Sequence, residues 1–243
     1  MILRHIQKMK TVLVETTPIK IYKTIDTKVV TEDLGKIFEM AICLLYGTVY
    51  DGKYKYSLID AEVMKERLIK LKDVFPYELK HIAKNGSQYD FVSTDGQFLS
   101  AKTTKRDGKV CPQVIGQPSK KKFCEFFGLG ELANDHIKEY IMGNVTSLLD
   151  AYMLHTFDCP IVYYNKAKNE LLFVKLKEKI NWTNITFSHT IKNKSWNEST
   201  TIKIGNSTIG EFQIHNHRDG IKFRWSFKNV LDLFKDHFDI TTL

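Results

Sequence analysis

Apolar residues recur at three-and-four spacing through "VTEDLGKIFEMAICLLYG", at Leu34, Ile37, Met40, Ala41, Leu44 and Leu45, after Thr31 and acidic first-turn residues. The spacing predicts an amphipathic helix that ends at Gly47. Glu39 falls at the edge of its apolar stripe. The pattern from Ser57 to Lys84 is again helical, with Pro76 placed to open a second helical segment, "PYELKHIAKNG". The period then shortens to two in "YDFVSTDGQFLSAKTT", residues 89–104, which predicts a strand pair. A polar loop, "KRDGKVCPQVIGQPS", leads to a short helix, "KKKFCEFFG", and to a longer one, "ELANDHIKEYIMGNVTSLLDAYMLHTF". Strand patterns dominate the last third: "CPIVYY", "ELLFVKLK", "ITFSHTI", "TTIKIG", "TIGEFQIHNH" and "GIKFRWSF", followed by a terminal helix, "KNVLDLFKDHF". This order predicts a mixed α/β (α+β) fold, one central sheet flanked by helices with a β-rich final third.

Turn chemistry sets the register of the strand pair. A two-residue Asp95-Gly96 loop would place Asp90 opposite Ala101. A three-residue loop, Thr94-Asp95-Gly96, with Gly96 in the left-handed position of a bulge, places Asp90 opposite Ser100. Side chains alternate faces along a strand, so Asp90, Ser100 and Lys102 then converge. A carboxylate there can hold a hard divalent cation such as Mg²⁺, the main-chain carbonyl of Ala101 can add a ligand, and the Lys102 ammonium can orient an attacking water. That combination suits phosphodiester hydrolysis.

At 243 residues the chain is within the range of a single domain. We divide it into a core over 31–177 and a β-rich elaboration over 178–243. Lys and Arg outnumber Asp and Glu by 36 to 28, a net charge of +8 that favours polyanionic partners, nucleic acid before membrane. The four cysteines, Cys43, Cys111, Cys124 and Cys159, stand far apart, as free thiols in a reducing cytoplasm do. The pairs His215/His217 and His155/Cys159 read as ordinary polar residues rather than as metal sites. The basic N-terminus lacks the apolar run of a leader, and no stretch is long enough to span a membrane.

The spacing of Asp90 and Ser100-Ala101-Lys102, preceded by a helix containing "LGKIFE", resembles the PD-(D/E)XK nuclease superfamily, and within it the type II restriction endonucleases. The resemblance covers residues 31–130. It implies a core of helix, strand pair, helix and further strand, and a Mg²⁺ site in which Asp90 is the aspartate and Lys102 the lysine. Glu39 would be the helix carboxylate. Ser100 stands where the superfamily usually has an acid, so Glu39, or Glu125 on a later helix, would have to supply the missing charge.

As implied, the activity is site-specific hydrolysis of double-stranded DNA, by a homodimer on a palindromic site or by a monomer. A non-catalytic nucleic-acid-binding protein with a degenerate site, favoured by Ser100, and a nuclease for RNA or for structured or damaged DNA are the alternatives. Two regions carry groups suited to DNA. In "KVCPQVIGQPSKKKF", Gln113 and Gln117 can meet adenine edges or phosphates, Gly116 allows close backbone approach, and Lys120, Lys121 and Lys122 add charge. In "TIGEFQIHNHRDGIKFRWSF", one strand face is apolar, while Gln213, His215, Arg218, Lys222 and Arg224 are available on the other or at the turn for groove readout.

Overall fold

The computed structural model describes residues 31–52, 58–84, 87–106, 108–191, 196–215 and 217–243. The N-terminal segment read above for a leader lies outside them.

Among the described residues the chain forms two sheets. The first has strand order β1-β2-β3-β5-β6-β11, from β1 (Leu79–His81), β2 (Phe91–Ser93), β3 (Phe98–Thr104), β5 (Ile161–Asn165), β6 (Glu170–Leu176) and β11 (Phe238–Thr242). The β3–β5 pair is parallel and the rest are antiparallel, so the sheet is mixed. The second is antiparallel, β4 (Lys109–Val110), β10 (Ile221–Ser226), β9 (Ser207–Ile214), β8 (Ser199–Ile204) and β7 (Ser188–His189). The expected mixed sheet with flanking helices and a β-rich C-terminal region is present. Its final strand, β11, returns to the first sheet beside β6, while β4 joins the second.

The first sheet separates two cores. Helix α1 (Thr31–Tyr46) and α2 (Leu58–Arg67) cover one face, where Phe38, Ile42 and Leu68 pack with Phe91, Leu99, Val162 and Tyr164. On the other face Ile161, Tyr163, Leu172 and Val174 pack with α6 (Val145–Phe157) and the inner side of the second sheet. Alternation along β3 and β5 produces this division, since consecutive residues point to opposite faces. Burying Leu99 alone contributes about 2 kcal/mol. Tyr152 of α6 stacks on Phe223 of β10 at 4.2 Å, and the Trp225 indole N–H donates to the Thr156 hydroxyl at 2.9 Å. The second sheet is thus anchored to the helix that leads into β5.

Three expectations are corrected. Pro76 does not open a helix; a four-residue helix, α3 (Leu71–Val74), precedes it, and β1 follows it. The long helix over 131–157 is two, α5 (Asn134–Gly143) and α6, because the chain leaves helical geometry at Asn144 (φ −126°, ψ 30°). The terminal helix is only α7 (Phe227–Leu233) plus a 3₁₀ turn at Lys235–His237, after which β11 forms. Helix α4 (Lys120–Phe126) is as expected, capped by Ser119, whose hydroxyl accepts from the Lys122 N–H at 3.2 Å.

Candidate active site

The β2–β3 turn has the three-residue form. Ser93 pairs across to Gln97 through an N–H to carbonyl bond of 2.7 Å, Thr94-Asp95-Gly96 form the loop, and Gly96 has φ +78°. Phe91 lies opposite Leu99, which brings Asp90 opposite Ser100. Phe91 and Leu99 face α1, so Asp90, Ser100 and Lys102 turn to the other face.

Asp90 and Lys102 meet there. The Lys102 Nζ stands 3.6 Å from the Asp90 Oδ2, with side chains 14% and 15% exposed, so both remain reachable from solvent. The same Oδ2 accepts the Ala101 N–H at 2.7 Å. Ladder pairing stops here because the Asp90 carboxylate has taken the place of a strand partner. A strand residue's N–H and C=O lie on the same edge, so the Ala101 carbonyl also faces the Asp90 side.

Ser100 is 1% exposed. Its Oγ accepts from Gln113 Nε2 and from the Cys159 thiol, each at 3.4 Å. Burial pushes the Cys159 thiol up to about 12, with the Ser100 bond and Lys102 opposing and the Asp158 and Asp90 charges adding, so it stays protonated and can donate. A serine fits this enclosed position without placing a second charge beside Asp90.

Glu39 is not brought to this pair. Its carboxylate, on the α1 side of the sheet, accepts from Lys36 Nζ at 3.0 Å and lies 3.3 Å from His81 Nε2. Burial raises its pKa, but the His81 bond and the Lys36 charge outweigh that and hold it below the usual value. His81 is itself 3% exposed, and its Nδ1 accepts from the Asp51 N–H at 3.1 Å. Glu125 lies on the exposed side of α4, 3.9 Å from Lys121. Among the described residues no group of three His, Cys, Asp or Glu side chains is placed to hold a metal ion.

A carboxylate that sequence reasoning passed over stands nearby. Asp158, at the end of α6, accepts from the Tyr89 hydroxyl at 2.6 Å and from the Gln88 side-chain amide. The Tyr89 ring stacks on Phe98, 3.9 Å between centroids, and the bond to Asp158 raises its phenol to about 12. Tyr89, Phe98 and Asp158 therefore wall the mouth of the Asp90 site. No spacing rule marks Asp158; only the fold of α6 into β5 delivers it.

The loop 111–118 runs along β10, with Phe223 N–H donating to the Gly116 carbonyl at 2.9 Å and Ile221 N–H to that of Pro118 at 3.0 Å. The space at Gly116 is taken by the chain itself, since a Cβ there would lie 2.4 Å from the Pro112 carbonyl. Gln113 is turned inward to Ser100, whereas Gln117, Lys121 and Lys122 are exposed and Lys120 is half-buried. On the second sheet, Arg224 and Lys109 both bind Glu211, at 2.9 and 2.7 Å, and the Gln213 amide donates to it at 3.1 Å. Glu211 is 8% exposed, and although burial raises its pKa, Lys109, Gln213 and Arg224 draw it below the usual value. His215 pairs with Glu198 at 3.3 Å, and Arg218 sits in the β9–β10 turn. The loop that carries Cys111 thus joins β10, through Gly116, to Ser100 beside Asp90, through Gln113, and burial pushes the Cys111 thiol up while the Lys222, Arg224 and Lys102 charges oppose that.

The mixed sheet thus sets a carboxylate and a lysine side by side where a strand pair opens, beside a second sheet that carries Lys109, Lys222 and Arg224. The chain is 50% identical over 217 residues to the type II restriction enzyme CviAII of Paramecium bursaria Chlorella virus 1. That alignment covers 88% of this chain and 63% of the viral protein, so the chain spans a little under two thirds of the relative it matches. No protein-family model matches the chain, and no solved structure matches it.

Proposed function

We propose that this protein is a Mg²⁺-dependent, sequence-specific endonuclease that hydrolyses double-stranded DNA, a type II restriction enzyme with a PD-(D/E)XK-like centre at Asp90, Ala101 and Lys102. The observation that carries the reading is the 3.6 Å approach of Lys102 Nζ to Asp90 Oδ2 on a strand pair whose register presents both to solvent. Similarity to a type II restriction enzyme over most of the chain supports it.

The donor set fits Mg²⁺, which takes hard oxygens and is commonly held by one or two carboxylates, with water and substrate phosphate completing the shell. Asp90 and the Ala101 carbonyl would be its protein ligands. When bound, the cation supplies Lewis acidity to the scissile phosphate and lowers the pKa of a coordinated water. Lys102 then orients the attacking water and balances charge gathering on the phosphate. Ser100, with Gln113 and Cys159 around it, fixes β3 against the start of β5. Glu39, engaged by His81 and Lys36, braces α1 against β1 rather than joining the metal.

The DNA is proposed to lie across the Asp90 site and the neighbouring basic sheet, with Gln117, Lys120, Lys121, Lys122, Arg218 and Lys222 toward it. On the same face as Lys222, Gln213 and Arg224 are engaged by Glu211, while His215 is engaged by Glu198 and Gln113 is turned to Ser100. We further propose a homodimer acting on a palindromic site, which sedimentation of the protein with and without cognate duplex would measure. Cys43, Cys111, Cys124 and Cys159 are free thiols, which suits a reducing cytoplasm.

Incubation of purified protein with supercoiled plasmid tests the reading. Discrete fragments with Mg²⁺, and none with chelator, are expected. That Asp90 is the one carboxylate at this centre among the described residues, with Ser100 in place of a second, favours a second reading, a DNA-binding protein without catalysis. Retained binding with no cleavage in any divalent cation would establish that one instead.

A further inference from the structure

We propose that a basic pocket at the far end of β3 seats an internucleotide phosphate of DNA, away from the bond that is cut. This rests on the nuclease reading and adds a site to it. The pocket, of about 120 Å³, is lined by Arg106, Gly108, Asn165, Lys168, Ser226, Lys228 and Asn229. Its walls come from three places: the chain leaving β3, the β5–β6 turn, and the β10–α7 junction.

The floor is fixed by buried polar contacts. Asn165, 1% exposed, donates from Nδ2 to the Tyr163 hydroxyl at 3.3 Å, and that hydroxyl lies 2.8 Å from the Thr104 hydroxyl. The Asn165 Oδ1 accepts the Lys168 N–H at 3.2 Å and so sets the turn that carries that lysine. Gly108, at φ +63°, lets the chain press onto this floor, since a Cβ there would lie 3.4 Å from the Tyr163 hydroxyl. Its carbonyl accepts the Phe227 N–H at 3.0 Å, which joins the first wall to the third.

Around this fixed floor stand three cations, Arg106, Lys168 and Lys228, and among the described residues no carboxylate lines the pocket. Lys228 is partly neutralised by Asp232 at 2.5 Å, so Arg106 and Lys168, both exposed, carry most of the attraction. A doubly coordinated anion suits such a fork, because charge-assisted bonds from Arg and Lys to phosphate oxygens are short and strong.

Placement identifies the anion as part of DNA. Thr104, two residues beyond Lys102 in β3, shares its parity and hence its side of the sheet, and lies opposite Asn165 of the pocket floor; two extended residues span about 7 Å, and Arg106 follows where the chain leaves β3. A strand whose scissile phosphate lies at Asp90 would pass the pocket a few nucleotides further on. Contacts of this kind position the duplex without reading sequence.

The test is binding of a fluorescent duplex of random sequence, with Ca²⁺ in place of Mg²⁺, over a salt series. The variants are Arg106→Ala/Lys168→Ala and the conservative Arg106→Lys/Lys168→Arg, with thermal melting to confirm that each is folded. The alanine pair should bind about five-fold or more weakly, and the slope of log K against log salt should shrink by about 0.9, the amount for one lost phosphate contact. The conservative pair should keep the parent slope. An unchanged slope in the alanine pair, with parent binding and cleavage intact, would overturn the pocket alone. Saturation of the pocket by inorganic phosphate with no change in DNA slope would do the same. Failure of the parent to bind duplex would overturn the nuclease reading along with it.

Discussion

Asp90 reaches Lys102 because Gly96 takes φ +78°, a conformation only glycine adopts without cost. That single turn residue makes the loop three residues long and rotates Asp90 onto the lysine's side of the sheet. Val114 is the opposite case: a β-branched residue at φ +57°, exposed, next to the Gln113 that contacts Ser100. Such a conformation costs of order 1–3 kcal/mol and persists only where its surroundings enforce it. Val114→Gly should therefore raise stability by about 1 kcal/mol, once the greater flexibility of unfolded glycine is offset. Urea midpoints of the two proteins measure this. A loss of stability would show that the Val114 side chain makes contacts worth more than the strain.

At the scale of elements, α1 is tied to β1 through Glu39 and His81 across a largely apolar contact. The Glu39 carboxyl titrates below its ordinary 4.5. A group depressed on folding contributes stability that is fully present above its unfolded pKa and is lost as pH falls through the folded value. Glu39→Gln should thus narrow the stability gap between pH 7 and pH 3, as measured by urea unfolding at both. An identical pH dependence in parent and variant would show that the pair contributes nothing. Most elements were legible in the sequence, because α1 carries a helical period, β10 alternates, and β5 and β6 are short apolar runs buried on both faces. Others were set by partners rather than by pattern. "ELKHIA" has apolar residues at helical spacing, yet Leu79 and His81 become strand because β2 and α1 lie alongside them. The end of α5 did carry a signal, Gly143-Asn144, which apolar residues on both sides obscured. Within the site, Asp90 and Lys102 were readable from turn chemistry, whereas the withdrawal of Glu39 to His81, and the arrival of Asp158 beside Tyr89, follow only from how the helices pack.

At the scale of the molecule, the two sheets share one core through α6, so the basic sheet is held rigidly beside the Asp90 site. The net charge of +8 is not all free for an anionic partner. Arg224 and Lys109 are bound to Glu211, so Arg224 serves first as a structural cation. Arg224→Ala should cost about 1–2 kcal/mol of stability, through a weakened buried carboxylate, and should reduce binding to all duplexes alike. Lys222→Ala should leave stability within about 0.5 kcal/mol of the parent. Melting temperatures with duplex binding at fixed salt separate the two, and selective loss on one sequence with Arg224→Ala would return that residue to base readout.

The central claim is that Asp90 and Lys102 perform the hydrolysis, and single-turnover cleavage by Asp90→Asn tests it most directly. The change keeps size and shape while removing the charge that would hold Mg²⁺. The account predicts intact folding and duplex binding, with a cleavage rate at least about 1,000-fold below the parent, the equivalent of losing about 4 kcal/mol of transition-state stabilisation. Cleavage at the parent rate by the folded variant would contradict it.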